Sequence, residues 1–209
     1  MDTVRYKNAA NEIKLDLGNP VNKPHWSFAL DSDASIMYGA RWALQPDASF
    51  RATEIAARLH PLDLYLAGWG SAAEVPELKL LQMQPQPTGD APTLGQIVTA
   101  PALGVTMAQI VAAEGARVPA FPSAQNQYRA AIIFLTRPGI TASNARLLEL
   151  DMFRRTFEDY FDGMTGGRAS ISFKLDETQT VLTGPTVLDS SMPAGGTGLN
   201  ATRAGEQSA

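Results

Sequence analysis

The stretch of the chain from residue 25 to residue 42 shapes the interpretation of everything around it. It reads His25-Trp26-Ser27-Phe28-Ala29-Leu30-Asp31-Ser32-Asp33-Ala34-Ser35-Ile36-Met37-Tyr38-Gly39-Ala40-Arg41-Trp42. The stretch holds one of the chain's two histidines and two of its three tryptophans. Large aromatic rings, carboxylates and an imidazole rarely crowd together in an ordinary surface loop. The pattern therefore predicts a partly buried segment around which the rest of the chain is organised.

The composition is that of a folded protein with few charges. The chain has 209 residues, 44% hydrophobic and 18% charged, enough for one domain with a core or at most two small ones. The net charge of −4 argues against nucleic acid as the main partner. We expect no membrane span, because no run of the sequence approaches the ~18 apolar residues required. We also expect no signal peptide within these residues. The chain has no cysteine, which excludes disulfides and leaves the compartment open.

Short strands are predicted on both sides of a turn that follows the opening stretch. Residues 41–45 and 50–53 flank the turn residues Pro46-Asp47-Ala48, a pattern that indicates a small β-hairpin. Residues 35–38 are also predicted to form a short strand. In residues 11–17, apolar side chains alternate with polar ones, and we expect Ile13, Leu15 and Leu17 to share one face.

Two short helices are predicted from their end signals. Pro61 suits the first turn of one helix and Gly68 suits its end. Thr106 suits the N-cap of the other helix, and Gly115 lies just past its last residue.

The C-terminal part of the chain predicts a strand, a long helix and a last strand. Residues 128–136 are apolar and β-branched, which is typical of a central strand. The longest helix is expected from Thr141 to about Gly163, and residues 169–175 are expected to form the last strand. The helix carries an apolar stripe that should pack against the strand at 128–136; it comprises Leu150, Phe153, Phe157 and Phe161.

These elements together predict an α+β fold. Small mixed sheets of short strands would pack against one long C-terminal helix and shorter helices. We expect residues 1–184 to form a single domain. Residues 185–209 are rich in Gly, Ser, Thr and Ala, with little to bury, and predict a tail or linker.

Metal binding is the first chemistry that the polar residues suggest. A catalytic zinc usually takes three protein ligands, often two from an H-E-x-x-H helix, and no such motif occurs here. His25 and His60 alone favour buried, hydrogen-bonded histidines over a self-contained zinc site. Asp31 and Asp33 resemble the start of a calcium loop, but the glycine and glutamate that such a loop needs are missing. Structural roles in turns or caps are favoured for these two aspartates.

Several segments together resemble a family of secreted bacterial zinc metallopeptidases. The resemblance covers roughly residues 25–175, and the order of its segments is more specific than any one of them. The matching segments are His25-Trp-Ser-Phe, Asp31-x-Asp33-Ala-Ser-Ile-Met37, His60-Pro-Leu-Asp-Leu-Tyr-Leu-Ala-Gly, and residues 105–119, 128–139 and 153–168. Ser35-Ile-Met-Tyr-Gly39 also resembles the Met-turn of metzincins, the methionine turn beneath the zinc.

The resemblance implies roles for two residues. Met37 would be the Met-turn methionine, and His25 a candidate third zinc ligand if an H-E-x-x-H helix is supplied. In some metzincins a tyrosine two positions after the methionine can approach the metal, whereas that position here is Gly39 and the tyrosine is Tyr38. Since the H-E-x-x-H helix is absent from the 209 residues, we expect no catalytic residue and no cofactor in this chain alone, and zinc only in a complete enzyme.

The expected function is the C-terminal portion of a metzincin-like scaffold, inactive alone. Its partner would be the missing N-terminal metal-binding half or another protein subunit. By family resemblance, the location would be extracellular or periplasmic. The alternative is a non-catalytic binding or structural module, such as a subunit of an extracellular assembly, with an aromatic surface around Trp26, Trp42 and Trp69.

Overall fold

The structure is a computed structural model that describes residues 4–21, 24–84, 91–173, 186–188 and 201–203. The chain divides into two compact units, residues 1–172 and residues 173–209. The predicted boundary at residue 184 lies outside the described residues.

The first unit contains three α-helices and ten short strands among its described residues, which confirms the predicted α+β class. The helices are α1 (Pro61–Ala67), α2 (Met107–Glu114) and α3 (Asn144–Thr165), with a 3₁₀ turn at Ala72–Glu74. The strands are β1 (Tyr6–Lys7), β2 (Ile13–Lys14), β3 (Leu30–Asp31), β4 (Ala40–Leu44), β5 (Phe50–Ile55), β6 (Leu78–Leu81), β7 (Ile97–Val98), β8 (Ala102–Val105), β9 (Gln127–Arg129) and β10 (Ser170–Ser172).

The largest sheet has six strands in the order β7-β5-β4-β3-β6-β8. Strands β3 and β4 are parallel, and the other neighbours are antiparallel. The predicted hairpin is confirmed as β4–β5. Its turn is closed by Asp47, whose side chain accepts hydrogen bonds from the backbone N–H and the hydroxyl of Ser49.

The main hydrophobic core lies against this sheet. Trp42 on β4 and Leu80 on β6 are almost fully buried, and so are Leu62 on α1 and Ile110 on α2. Leu17 is buried, whereas Ile13 and Leu15 are exposed, so the prediction that the three share one face is wrong. The strand there is only two residues long, and the turn that follows it includes Leu17, since Gly18 donates its backbone N–H to the Leu15 carbonyl at 3.1 Å.

The two short helices begin and end where predicted. Helix α1 starts with Pro61, and Gly68 ends it in the left-handed conformation. Thr106 caps α2 by accepting a hydrogen bond from the backbone of Gln109, and Gly115 follows the last turn. These signals act within about one helical turn, which is why local sequence was sufficient.

The predicted strand at residues 35–38 is wrong. Backbone hydrogen bonds close this segment into a turn, since Gly39 donates to the Ser35 carbonyl at 2.8 Å. Tyr38 has φ 69° and therefore lies in the left-handed region that a strand residue cannot adopt.

The predicted strand at 128–136 is confirmed only in its first part. β9 ends at Arg129 and pairs in parallel with β10. Residues 131–136 continue without regular secondary structure. β10 confirms a strand within the predicted segment 169–175, of which residues 174 and 175 lie outside the described residues.

Helix α3 packs on the small β9–β10 sheet and contributes no residue to the main core. Phe161 contacts Tyr128 and Trp69 with ring centroids at 6.4 and 5.5 Å. Phe153, predicted to face the sheet, is 50% exposed, and the only fully buried residue of the helix is Thr165. The long helix is therefore confirmed, while the expected packing of its whole stripe is not.

In the second unit, Thr186–Leu188 and Ala201–Arg203 form two antiparallel strands, β11 and β12.

Candidate functional site

The carboxylate of Asp63 fastens the opening stretch to helix α1. It accepts hydrogen bonds from the Trp26 indole N–H at 2.8 Å, from the Ser35 hydroxyl at 2.7 Å and from the His60 backbone N–H at 2.7 Å. Asp63 belongs to the first turn of α1, where a negative charge is favoured by the helix dipole. Its role spans 37 residues of sequence, and its only local signal is its place at the third position of α1, where it completes a capping box.

Ser35 connects Asp63 to the turn that contains Met37. Its hydroxyl donates to Asp63 and accepts the backbone N–H of Met37 at 3.1 Å. The next residue in the turn is Tyr38, and Gly39 closes it. A Cβ at Gly39 would overlap the Ser32 hydroxyl and lie 2.8 Å from the Ser35 backbone nitrogen. Only glycine therefore fits there.

His25 lies directly against this turn. Its ring stacks on Tyr38 with centroids 4.1 Å apart, and the next residue, Trp26, donates its backbone N–H to the Met37 carbonyl at 3.0 Å. The Nδ1 atom of His25 is buried, and no described residue forms a hydrogen bond with it. The structure thus places His25, the candidate zinc ligand, beside the turn of Met37, the candidate Met-turn methionine. It also adds Tyr38, whose position beside Met37 was the only sequence signal for this contact.

Backbone strain concentrates in the same place. Asp33, Ala34 and Tyr38 all have positive φ, at 49°, 59° and 69°. Non-glycine residues in this region cost of order 1–3 kcal/mol each and persist only where the surroundings impose them. The hydrogen bonds through Asp63 and Ser35 supply that constraint.

His60, the other histidine, has a structural role. It is buried, and its Nδ1 accepts the backbone N–H of Leu62 at 3.0 Å, so it caps α1. Burial lowers the pKa of His60 below its ordinary value, although nearby carboxylates, Asp63 first among them, oppose the shift. The prediction of a buried, hydrogen-bonded histidine is confirmed at this position.

The two aspartates of the apparent calcium loop also have structural partners. Asp31 accepts the Trp42 backbone N–H at 3.1 Å and pairs with Lys79 at 3.2 Å. Asp33 pairs with Arg41 at 2.5 Å and with Arg58 at 3.3 Å. These contacts are structural, but they are ion pairs and a cross-strand hydrogen bond, a different kind of role from the predicted turn or cap.

An open cleft of about 380 Å³ lies beside these ion pairs. Asp31 and Lys79 line it from one pair, and Asp33 and Arg41 from another. Because each of these two carboxylates pairs with a cation, neither is placed to act as a general acid or base in the cleft.

The donor set of the described residues does not fit a zinc ion. In the ranges that the structure describes, no group of three or more His, Cys, Asp or Glu side chains could hold a metal. His25 could supply one ligand, whereas catalytic zinc takes three from protein.

Comparison with family models, curated proteins and solved structures finds no match to this chain. Over the residues that can be described, no helix is long and apolar enough to cross a membrane.

Proposed function

We propose that this chain is the C-terminal, Met-turn portion of a metzincin-like zinc metallopeptidase scaffold and is inactive alone. The N-terminal metal-binding half, on the same or another polypeptide, supplies the H-E-x-x-H helix. By resemblance to the family, the assembled protein is extracellular or periplasmic.

The placement of His25 over the Met37–Tyr38 turn carries this proposal. A metal-binding histidine needs a fixed ring, and here stacking on Tyr38 and the backbone bond from Trp26 to Met37 fix it. Its buried Nδ1 has no partner among the described residues, which is costly in a finished site. A partner that completes the site would offset that cost.

Inactivity alone follows from the count of catalytic groups. Bound zinc lowers the pKa of a water molecule and polarises the substrate carbonyl, and a glutamate takes the proton of that water. The chain offers His25 as one ligand and Met37 as the support beneath the site, and its described residues do not complete the set.

The first experiment measures cleavage of an unfolded protein substrate by the purified chain with added zinc. We expect no cleavage that a chelator abolishes. Chelator-sensitive cleavage that disappears in His25→Ala would contradict inactivity of the chain alone.

The second experiment measures zinc by mass spectrometry after the chain is produced together with the polypeptide encoded directly upstream of Met1. We expect zinc to bind stoichiometrically to this pair and to be lost in His25→Ala. His60→Asn is the matched control, because asparagine preserves the helix cap and should leave the zinc content unchanged. Full zinc content in His25→Ala would refute the role of His25.

A second candidate, an interaction module, is favoured by a different observation. The predicted aromatic surface is wrong, because Trp26 and Trp42 are buried and Trp69 is half-buried. Instead, nine of the twenty exposed large apolar residues of the described chain lie between residues 133 and 160; they are Ile133, Phe134, Leu135, Ile140, Leu147, Leu148, Met152, Phe153 and Tyr160. Light scattering on the purified chain separates self-assembly from a monomer that waits for a partner.

A further inference from the structure

His60 holds the start of α1 through a hydrogen bond that only the neutral imidazole can form. Its Nδ1 accepts the backbone N–H of Leu62 at 3.0 Å, so the neutral ring carries its proton on Nε2. A second proton can bind only at Nδ1, and a protonated ring nitrogen cannot accept a hydrogen bond. Protonation of His60 and the cap that it gives to α1 therefore exclude each other.

Asp63 joins this cap to the turn that contains Met37. The His60 backbone N–H donates to Oδ2 of Asp63 at 2.7 Å, which completes the capping box of α1. The same oxygen accepts the Ser35 hydroxyl at 2.7 Å, and Oδ1 accepts the Trp26 indole N–H at 2.8 Å. One carboxylate thus serves both the helix cap and the turn, so opening of the capping box removes the anchor of the turn.

The surroundings of His60 keep its ring neutral but leave a path for a proton. The ring is buried, and burial lowers its pKa, against the attraction of Asp63, Asp33 and Asp31 in that order. Three cations that pair with Asp33 or Asp31 weaken this attraction; they are Arg41, Arg58 and Lys79. His60 also lines the open cleft, together with Asp31, Asp33 and Glu77. A protonated ring can therefore turn toward water and carboxylates.

We propose that His60 is an acid-sensitive switch that holds the turn at residues 35–39, and with it the ring of His25, in place only while its imidazole is neutral. In mild acid the protonated ring leaves the Leu62 N–H and turns into the cleft. The capping box then opens and Asp63 releases the turn. A proton that binds the open form better than the closed form shifts the population toward the open form.

The switch is a property of the chain without metal. As regulation of a zinc site the inference rests on the proposed function, because His25 would be the ligand that the released turn displaces. The test below contains no zinc. Its failure therefore leaves the zinc measurements on His25 standing, and a zinc content that does not depend on His25 leaves the switch standing.

The test follows the indole N–H resonances of the three tryptophans by NMR in the full chain. The Trp26 indole donates to the Asp63 carboxylate, whereas the indoles of Trp42 and Trp69 donate to backbone carbonyls. Between about pH 7.5 and about pH 5, we expect the Trp26 resonance to move to the position of a free indole, with a midpoint below about 6.5. The other two resonances should stay in place. The range lies above about pH 4, where free carboxyl groups titrate, and Trp26→Phe assigns the resonance.

Two variants assign the response to His60. His60→Asn is the matched control, because asparagine caps the helix without a titratable group, and its Trp26 resonance should not move. His25→Gln removes the other histidine of the chain and should keep the response of the wild type.

Four results would overturn the proposal. They are a Trp26 resonance that stays in place in the wild type, an equal response in His60→Asn, and loss of the response in His25→Gln. The fourth is movement of all three indole resonances together, because acid would then unfold the whole chain and not release one turn.

Discussion

Replacing Asp63 with alanine should be among the most damaging single changes in this protein. The substitution removes the acceptor for two buried donors, the Trp26 indole N–H and the Ser35 hydroxyl, and for the His60 backbone N–H. A buried donor left without an acceptor costs about 1–3 kcal/mol, and an ordinary hydrogen bond contributes about 0.5–1.5 kcal/mol. The expected loss is therefore about 3–7 kcal/mol, against a total stability of roughly 5–15 kcal/mol for a typical domain.

Asp63→Asn separates the loss of hydrogen bonds from the loss of volume. The amide nitrogen cannot accept, so one of the three donors then faces another donor. We expect this variant to lose about 1–3 kcal/mol, less than the alanine variant.

Urea titrations and thermal melts measure both variants. At about 2–4 °C per kcal/mol for a chain of this size, Asp63→Ala should lower the Tm by about 6–28 °C. Asp159→Ala, an exposed aspartate on α3, is the control and should stay within about 0.5 kcal/mol of the wild type. If Asp63→Ala melts within about 2 °C of the wild type, Asp63 does not anchor the opening stretch.

Three further tests address separate parts of the structure. Because burial lowers the pKa of His60 in the folded chain, the unfolded chain binds the proton more readily, and stability should fall as the pH drops below about 6.5. Urea titrations at several pH values should show a shallower loss of stability with falling pH in His60→Asn than in the wild type. The same pH dependence in both proteins would contradict the lowered pKa of His60. Gly39→Ala forces a methyl group into occupied space and should lower the Tm by several degrees, whereas Gly163→Ala, with open space around the added carbon, should be neutral or stabilise α3 by up to about 1 kcal/mol. In urea titrations, Leu80→Ala should lower the free energy of unfolding by about 2–5 kcal/mol, because the side chain is fully buried in the main core. Phe157→Ala should cost less than the roughly 3–5 kcal/mol of a fully buried phenylalanine, because α3 lies outside that core. A larger loss for Phe157→Ala than for Leu80→Ala would mean that α3 does cover the core.

The capping and turn residues of this protein act over short distances, and the sequence alone determined them. Helix α1 begins at Pro61 and is terminated by Gly68, helix α2 lies between Thr106 and Gly115, and Asp47 closes the hairpin. Each of these effects depends on neighbours within about one turn of chain, so the α+β class and the positions of both short helices could be predicted.

The sequence indicated that residues 25–42 form a partly buried segment, but it did not show which residue holds that segment in place. The placement of His25 against Tyr38 depends on an anchor at Asp63, which lies 37 residues beyond Trp26 and whose partners no local pattern names. Only the folded chain brings the carboxylate, the indole and the hydroxyl to one point.

The segment at residues 128–136 shows the opposite case. Its composition predicts a central strand, whereas the strand of the structure, β9, ends at Arg129. A strand needs a partner for its backbone hydrogen bonds and a layer over its apolar face, and both come from other parts of a protein. Sequence determined the strand preference of this segment, whereas tertiary structure decided which part of the region, Gln127–Arg129, pairs as a regular strand with β10.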